Sequence, residues 1–215
     1  DNGVLTDIRT LPVNSPIARA LGAQKLDPET SKNFSLGLTA QLNDRFDASL
    51  DVFHIAVKDR ITLSQRIGSD ALEQYINDNF GVPGVHDASF FTNAADTSTN
   101  GAELVLNYHQ PLFDGVWGVT GAYTYNHTKV TKTRGTPSQL SGLGIGSDAL
   151  VGVEERNTLT DAAPKDRIVL STNWANQHWG LMSRLTRQGK TTRVFDFGDS
   201  WPTQTYGAVW QLDAE

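Results

Sequence analysis

The sequence predicts an all-β fold, an antiparallel up-and-down meander that forms part of the wall of a transmembrane β-barrel. Three observations lead to this prediction: connections that alternate between short and long, segments with a period of two, and aromatic residues beside the short connections. Outer-membrane barrels have tight turns on one side and long loops on the other. The short turns are Asn43 to Arg45, His109 to Gly115 and Asn176 to His178, and the long polar loops are residues 65–88, 130–164 and 190–204.

The composition limits the class of protein. The chain has 215 residues, 38% of them hydrophobic, a net charge of -6 and no cysteine. This length suits one β domain, or part of one, and the scattered basic residues argue against a nucleic-acid partner. No apolar run is long enough for a membrane-spanning helix, and no basic, apolar signal segment opens the chain at Asp1. The absence of cysteine excludes disulfides, thiolate metal sites and cysteine nucleophiles.

The first hairpin shows the two-residue period most clearly. Residues 31–42 place Leu36 and Leu38 on one face, and residues 46–52 continue this apolar face after the turn at Asn43. Beyond Val52 the apolar positions move to Phe53, Ile55 and Val57. One extra residue in a strand reverses the facing of the residues that follow it, so the pattern predicts a β-bulge near His54.

Five further segments with the same period bring the predicted count to seven strands. They include residues 102–108, 117–125, 168–174 and 179–185, and a last strand that begins near Thr205. We expect the apolar side chains to share one exterior face of a single sheet and the polar ones to face a wet or filled lumen. The exterior set is Leu36, Leu38, Leu104, Leu106, Tyr123, Leu170 and Leu181.

Aromatic residues flank the short turns. Tyr108 and Trp117 flank one turn, and Trp174 and Trp179 flank another. Trp and Tyr favour the membrane interface, so this row predicts an aromatic girdle, with the turns at 43, 109 and 176 periplasmic and the loops from 65, 130 and 190 extracellular.

The pattern leaves an alternative, a soluble β-sandwich binding module whose ligand-binding loops lie at one end. A passive porin or a barrel enzyme is a third interpretation.

Several short strings, taken in order, resemble the barrel of TonB-dependent outer-membrane receptors. The resemblance covers most of residues 26–215. The strings are Leu-Asp-Pro-Glu-Thr-Ser-Lys-Asn at 26–33, Val-Lys-Asp-Arg-Ile at 57–61, Phe-Thr-Asn-Ala-Ala at 91–95, Thr-Asn-Gly-Ala-Glu-Leu at 99–104, Ala-Tyr-Thr-Tyr-Asn at 122–126 and Ala-Pro-Lys-Asp-Arg at 163–167.

The resemblance implies a transporter in the outer membrane of a Gram-negative bacterium. Its barrel would have 22 strands, surrounded by outer-membrane lipid and closed by an N-terminal plug that the TonB complex pulls. Its cargo would be a scarce small-molecule nutrient such as a siderophore, cobalamin or a saccharide. Seven strands are about a third of such a wall. We therefore expect residues 1–215 to be a fragment of the barrel domain, without the plug and the closing strands.

Candidate ligand contacts come from the long loops. Tyr75 and Asn77 lie in a run that mixes aromatic and amide side chains, and Glu154 and Arg156 lie in a charged run. The charged run is more often a solvated surface, and the composition of the other run is also found in inert loops. We expect no catalytic, cofactor or metal site. The histidines (His54, His86, His109, His127, His178) are scattered, His86-Asp87 is the nearest approach to a metal-ligand pair, and the glycines of 142–146 lack the preceding strand of a phosphate loop.

Overall fold

A computed structural model describes residues 7–140, 142–197 and 200–215. The opening of the chain at Asp1, and residues 141, 198 and 199 of two predicted loops, lie outside this part. The elements in chain order are β1 (Asp7–Leu11), α1 (Pro16–Ala20), β2 (Thr30–Asn43), β3 (Phe46–Leu63), β4 (Ile67–Gly68), α2 (Asp70–Phe80), β5 (Val85–Leu112), β6 (Gly115–Thr133), a 3₁₀ turn (Ser138–Leu140), α3 (Val153–Thr160), β7 (Asp166–Ala175), β8 (Gly180–Gln188), β9 (Thr191–Val194), β10 (Thr203–Tyr206) and β11 (Val209–Ala214). Among the described residues, no helix has the length and apolar character needed to cross a bilayer.

Seven antiparallel strands form one sheet in the order β11-β8-β7-β6-β5-β3-β2. Every neighbour in this sheet is also the next sheet strand along the chain, so the up-and-down meander is confirmed. β1 and β4 pair with the upper part of β5, β1 in parallel, while β9 and β10 form a separate hairpin. The sandwich alternative is wrong, because the described strands do not form two facing sheets around a core.

The short turns are built by side chains that suit them. The Asn43 Oδ1 accepts the Arg45 N–H at 2.9 Å, and the Asn176 Oδ1 accepts the N–H groups of His178 and Trp179. This is the usual way in which Asn supports a turn. The middle turn is shorter than predicted and contains only two residues, Phe113 and Asp114, because β5 continues to Leu112 and β6 begins at Gly115.

The two faces of the sheet differ as predicted. One cross-strand row contains Leu38, Leu50, Leu104, Tyr123 and Ile168, and the parallel row beside it contains Leu106, Leu170 and Leu185. Leu36, Leu38 and Leu181 are more than 60% exposed. The opposite face carries a row of Asp51, Glu103, Thr124, Arg167 and Gln188. The predicted exterior set therefore lies on one exposed face, and not in an enclosed core.

The buried apolar core lies at the long-loop end of the sheet, around the first part of β5. We call this part the loop cap; it consists of residues 7–23, 64–95, 134–140 and 142–160. Its fully buried side chains include Leu21, Ile67, Leu72, Phe90 and Leu140. The sequence predicts long polar loops at residues 65–88, 130–164 and 190–204. They instead contain α2, α3 and the β9–β10 hairpin, and the first two pack around this core.

Two predictions about strands are wrong. No bulge lies near His54, since β2 and β3 keep a continuous register from Thr30 and Lys58 down to Ala40 and Ala48. β3 shifts its register against β5 nearer the loop cap, between Val57 and Ile61. The last strand does not begin near Thr205, which belongs to β10 and pairs with Thr192. The final strand of the sheet is β11, and there Trp210 and Leu212 lie opposite Arg187 and Leu185 as alternation requires.

Phe53 explains why no bulge is needed. Phe53, Ile55 and Val57 stay on the polar face, where Phe53 lies between Ser35 and Gly101 of the neighbouring strands. A Cβ atom on Gly101 would come within 2.1 Å of the Phe53 ring. The ring therefore covers the glycine, and an apolar side chain on this face is buried locally without any reversal of the strand.

Candidate ligand-contact region

The loop cap contains all four ligand-contact candidates, in two different helices. Tyr75 and Asn77 lie in α2, and Glu154 and Arg156 lie in α3. α2 packs on β5, whereas α3 packs on β6 and β9. Among the described residues, no hydrogen bond or ion pair joins any two of the four side chains. The structure therefore places them at the same end of the sheet but does not assemble them into one site.

Residues at both ends of α2 and on its buried face stabilise this helix. The Ser69 Oγ accepts the Leu72 N–H at 3.1 Å, and Gly81 ends the helix with a positive φ of 65°. Leu72 and Ile76, four residues apart, are buried against β5. Ser at the N-cap, Gly at the C-terminus and apolar residues at this spacing are helix signals. These signals are present in the sequence and were missed.

The two candidates of α2 have different environments. Tyr75 is half-buried, packs on the apolar core and makes an edge-to-face contact with Phe80, with ring centroids 6.3 Å apart. Asn77 is exposed, and its backbone carbonyl accepts the Gly81 N–H at 2.9 Å. Tyr75 therefore helps to hold the cap together, and Asn77 has the more accessible side chain.

The two candidates of α3 form hydrogen bonds with residues outside their helix. A Glu154 carboxylate oxygen accepts the Asp196 N–H at 3.0 Å. The Arg156 guanidinium donates to the Thr133 Oγ1 at 3.3 Å and to the Val151 carbonyl at 3.4 Å. Their present partners are structural, so a ligand would have to compete with these contacts.

Asn157 is the residue of α3 that the sequence reasoning missed. It is 7% exposed, and its amide donates to the Thr192 carbonyl and accepts the Val194 N–H, both at 2.9 Å. In this way one side chain pairs with the open backbone of β9 as a neighbouring strand would. The Thr192 N–H also donates to the Asp161 carbonyl at 3.0 Å. α3 therefore attaches the β9–β10 hairpin to the loop cap.

Two carboxyl groups of the α3 region have shifted pKa values. Burial raises the pKa of Glu155, although its carboxylate accepts the Gly152 N–H at 3.0 Å. Hydrogen bonding from Lys165 lowers the pKa of Asp161, and the two side chains lie 2.5 Å apart. The first group is destabilised in its charged form by desolvation, and the second is stabilised in its charged form by a cation.

The polar face of the sheet carries a cavity just below the cap. It has a volume of about 350 Å³, and its lining includes Glu103, Thr124, Lys165, Arg167 and Gln188. Glu103, Thr124, Arg167 and Gln188 form one cross-strand row. The cavity offers hydrogen-bond donors and acceptors of both charges to whatever fills the inner side of the sheet.

The four aromatic residues lie at the short-turn end. The rings of Tyr108 and Trp117 meet edge to face at 6.0 Å, and Trp117 lies opposite Trp174 on the neighbouring strand. The Trp174 Nε1–H donates to the Leu112 carbonyl at 3.0 Å, while Trp179 is 72% exposed. The row exists as a structural feature, and its contact with a membrane interface stays a prediction.

The His86-Asp87 pair, the nearest approach to a metal-ligand pair in the sequence, lies in the loop cap. No group of three or more His, Asp or Glu side chains has the arrangement of a metal site there. The His86 ring nitrogens lie 3.7 Å from an Asp87 oxygen and 3.8 Å from an Asp70 oxygen. The glycine-rich segment 142–146 lies within the cap, where the Leu143 carbonyl accepts a hydrogen bond from the Ser69 hydroxyl at 2.5 Å.

A family model decides the classification. The model described as "TonB dependent receptor-like, beta-barrel" matches residues 3–215. The chain belongs to this family. No curated protein matches it.

Solved structures of receptors share the fold. The ferripyoverdine receptor of the outer membrane of Pseudomonas aeruginosa, bound to ferripyoverdine, is 20% identical, with a TM-score of 0.50, over 89% of this chain and 21% of that one. The outer membrane transporter YddB from Escherichia coli is 12% identical, with a TM-score of 0.55, over 88% of this chain and 26% of that one. FpvAI in its complex with pyocin S2 is 18% identical, with a TM-score of 0.51, over 88% and 21%. The chain thus spans about a fifth to a quarter of the length of these structures.

Proposed function

We propose that residues 1–215 form part of the barrel wall of an outer-membrane receptor that takes up a scarce nutrient with the help of the TonB complex. The main support is that one seven-stranded sheet has an exposed apolar face and a polar face, with the loop cap at one end. Exposed apolar area of this extent needs a lipid or protein cover. Lipid covers the outward face, and the polar face lines the lumen.

This proposal assigns each end of the sheet to one side of the outer membrane. The short turns face the periplasm, with Trp117, Trp174 and Trp179 at the inner interface, and the loop cap faces the cell exterior. Asn77 and Arg156, both exposed on the cap, are the accessible ligand-contact candidates. The plug and the other strands of the barrel would come from other parts of the receptor, and the TonB complex would act through that plug.

Ferric siderophores are the first ligand class to test. Support comes from similar structures that include a ferripyoverdine receptor. Cobalamin and saccharides follow, because a shared fold does not fix the ligand.

The test is uptake by the full-length receptor in a Gram-negative host that lacks its own siderophore receptors. We expect labelled ferric siderophore to accumulate only when both the receptor and a functional TonB complex are present. Uptake that continues without the TonB complex would indicate a passive pore and contradict the proposal. Siderophores, cobalamin and oligosaccharides are compared in parallel, so that a wrong ligand class can be told apart from a wrong mechanism.

A further inference from the structure

The cavity on the polar face of the sheet has a carboxylate on one side and a guanidinium on the other. Glu103 of β5 and Arg167 of β7 both line it, and Thr124 of β6 lies between them in the same cross-strand row. Neighbouring strands lie about 4.8 Å apart, so the Cα atoms of Glu103 and Arg167 are separated by roughly 10 Å. Side chains on one face of a sheet leave it in roughly the same direction. The two charged groups therefore face the cavity side by side.

Most polar side chains that line this cavity have no partner in the part of the chain that the structure describes. There, no side-chain hydrogen bond or ion pair is formed by Glu103, Thr124, Asn126, Arg167 and Gln188. The other two charged residues of the lining are paired, since Lys165 binds Asp161 and Asp166 binds Arg187. The cavity therefore presents one unpaired carboxylate, one unpaired guanidinium and three uncharged polar groups.

Another polar row of the same face, nearer the short turns, differs from the cavity row. The Asn107 amide donates to an Asp47 carboxylate oxygen at 2.9 Å and accepts the Thr120 hydroxyl at 2.8 Å. Further along that row, the Arg184 guanidinium donates to the Ser171 hydroxyl at 3.3 Å. These side chains satisfy part of one another's hydrogen-bonding capacity, whereas those of the cavity row do not. The cavity row is therefore the part of this face that is best able to bind a ligand.

A second carboxylate makes the Glu103 side of the cavity attractive to a cation. Asp51 of β3 lies directly opposite Glu103, and like charges in this position destabilise a sheet. The Asp51 side chain leans over Gly37 of β2, because a Cβ atom on this glycine would come within 2.3 Å of an Asp51 oxygen. A cation beside Glu103 would reduce the remaining repulsion. An ammonium group is therefore favoured on this side, and a carboxylate on the side of Arg167.

The distance between the two charged residues suits one kind of ligand. A hydrogen bond between charged groups is about 2.8 Å long. The nitrogen of an α-amino acid lies about 3 Å from its nearer carboxylate oxygen. An amino-acid group with one such hydrogen bond at each end spans roughly 9 Å, which matches the spacing of Glu103 and Arg167. A simple anion or cation would bind only one of these two residues.

We infer that this cavity binds the α-amino-acid group of a small-molecule nutrient. Glu103 accepts hydrogen bonds from the ammonium, Arg167 binds the carboxylate through two parallel hydrogen bonds, and the Thr124 hydroxyl lies between them. The inference rests on the proposed function, in which the polar face lines the lumen of an uptake receptor. It adds to that function a chemical group that the nutrient carries.

The experiment measures the binding of glycine to the full-length receptor in phosphatidylcholine nanodiscs by ligand-observed NMR titration. The test variant carries Glu103→Gln and Arg167→Gln, and the matched control carries Arg184→Gln and Asp213→Asn. Both variants lose one acidic and one basic side chain from the same face and keep the net charge, but the control residues lie outside the cavity. A third variant exchanges the two charges (Glu103→Arg with Arg167→Glu).

We expect the dissociation constant for glycine to rise at least about tenfold in the test variant, because two charged hydrogen-bonding partners are lost. The control should bind glycine as wild type does. The exchanged variant should also bind it, since the ligand can turn round. Equal binding by wild type and the test variant, or an equal loss in the control, would overturn the inference.

Other probes test the chemical class of the ligand in wild type. Acetate and methylammonium carry one charge each and should bind at least about tenfold more weakly than glycine. 6-Aminohexanoate, whose charges lie further apart, should also bind more weakly. Lack of any preference for glycine over these probes would contradict the inference. So would a wild type that binds no glycine, which would indicate that another part of the receptor fills the cavity.

The results also separate this inference from the proposed function. TonB-dependent uptake by a wild type that does not bind glycine would contradict this inference alone. Uptake that continues without the TonB complex would contradict the proposed function, and the glycine titration would still decide what the cavity binds.

Discussion

At the residue scale, the contact between Phe53 and Gly101 shows how one position controls the packing of the inner face. The glycine leaves space for the ring, and any Cβ there would come within 2.1 Å of a ring carbon. Gly121 is a useful contrast, because a Cβ at that position would meet nothing within 4 Å. Both glycines lie in the middle of long strands of the same sheet.

We expect Gly101→Ala to destabilise the sheet by roughly 1 to 3 kcal/mol, since the methyl group forces the Phe53 ring to move. The measurement is the temperature at which the folded protein loses its compact mobility in detergent electrophoresis. Gly121→Ala is the control and should change this temperature little. Equal effects of the two substitutions would show that the close contact has no energetic role.

Glu155 gives a pH prediction. Because burial raises its pKa, the folded cap binds this proton more tightly than the unfolded chain does. The stability of α3 should therefore fall as the pH rises from the ordinary value of 4.5 through the raised value of the folded state. Glu155→Gln keeps an oxygen for the Gly152 N–H, removes the charge and should abolish this part of the pH dependence. Hydrogen exchange of the α3 amides, corrected for intrinsic rates, is the measurement; an unchanged profile would contradict the assignment to Glu155.

At the scale of elements, α3 links two long connections. The Asn157 amide bonds to both Thr192 and Val194, and Glu154 bonds to Asp196. In the described part of the chain, the hairpin β9–β10 does not pair with the strands of the main sheet. Its position depends on these contacts with α3 and on the pairing of its own two strands.

Asn157→Ala should detach the hairpin from α3. Loss of the amide leaves two backbone groups of β9 without partners, at a cost of about 1 to 3 kcal/mol. We expect faster hydrogen exchange at Thr192 and Val194, with β2 and β3 unaffected. Thr158→Ala on the exposed side of the same helix is the control, and the same acceleration in that variant would mean that general weakening of α3 is responsible.

Elements also show what the sequence could predict. The alternation in residues 31–42 identified β2, and Asn43 and Asn176 marked the turns, because these signals are local and repeated. The helix α2 is marked by Ser69, Leu72, Ile76 and Gly81, but the polar residues around Tyr75 favour a loop, so the sequence pattern does not predict this helix. The prediction of a bulge near His54 was wrong. Phe53 of β3 packs over Gly101 of β5, and the periodicity of one strand does not reveal a contact with the neighbouring strand.

At the scale of the whole molecule, the apolar side chains serve two purposes. Those of the sheet form an exposed band, while the buried core lies in the loop cap. The sequence identified the band, because a strict period of two separates Leu104 and Leu106 from Glu103 and Asn107. It did not identify the cap, whose core combines Leu21, Leu72 and Leu140 from three distant segments. For the same reason Tyr75 and Glu154 could be named as loop residues but not placed relative to each other.

The two-faced sheet is the central claim, and single-cysteine labelling tests it most directly because the chain contains no cysteine. Leu104→Cys and Leu106→Cys report on the outward face, and Glu103→Cys and Asn107→Cys report on the inward face of the same strand. Each variant carries a spin label in the full-length receptor in bilayers. We predict strong relaxation by oxygen at 104 and 106 and weak relaxation at 103 and 107. Equal oxygen accessibility at all four positions, or the reverse pattern, would contradict the account.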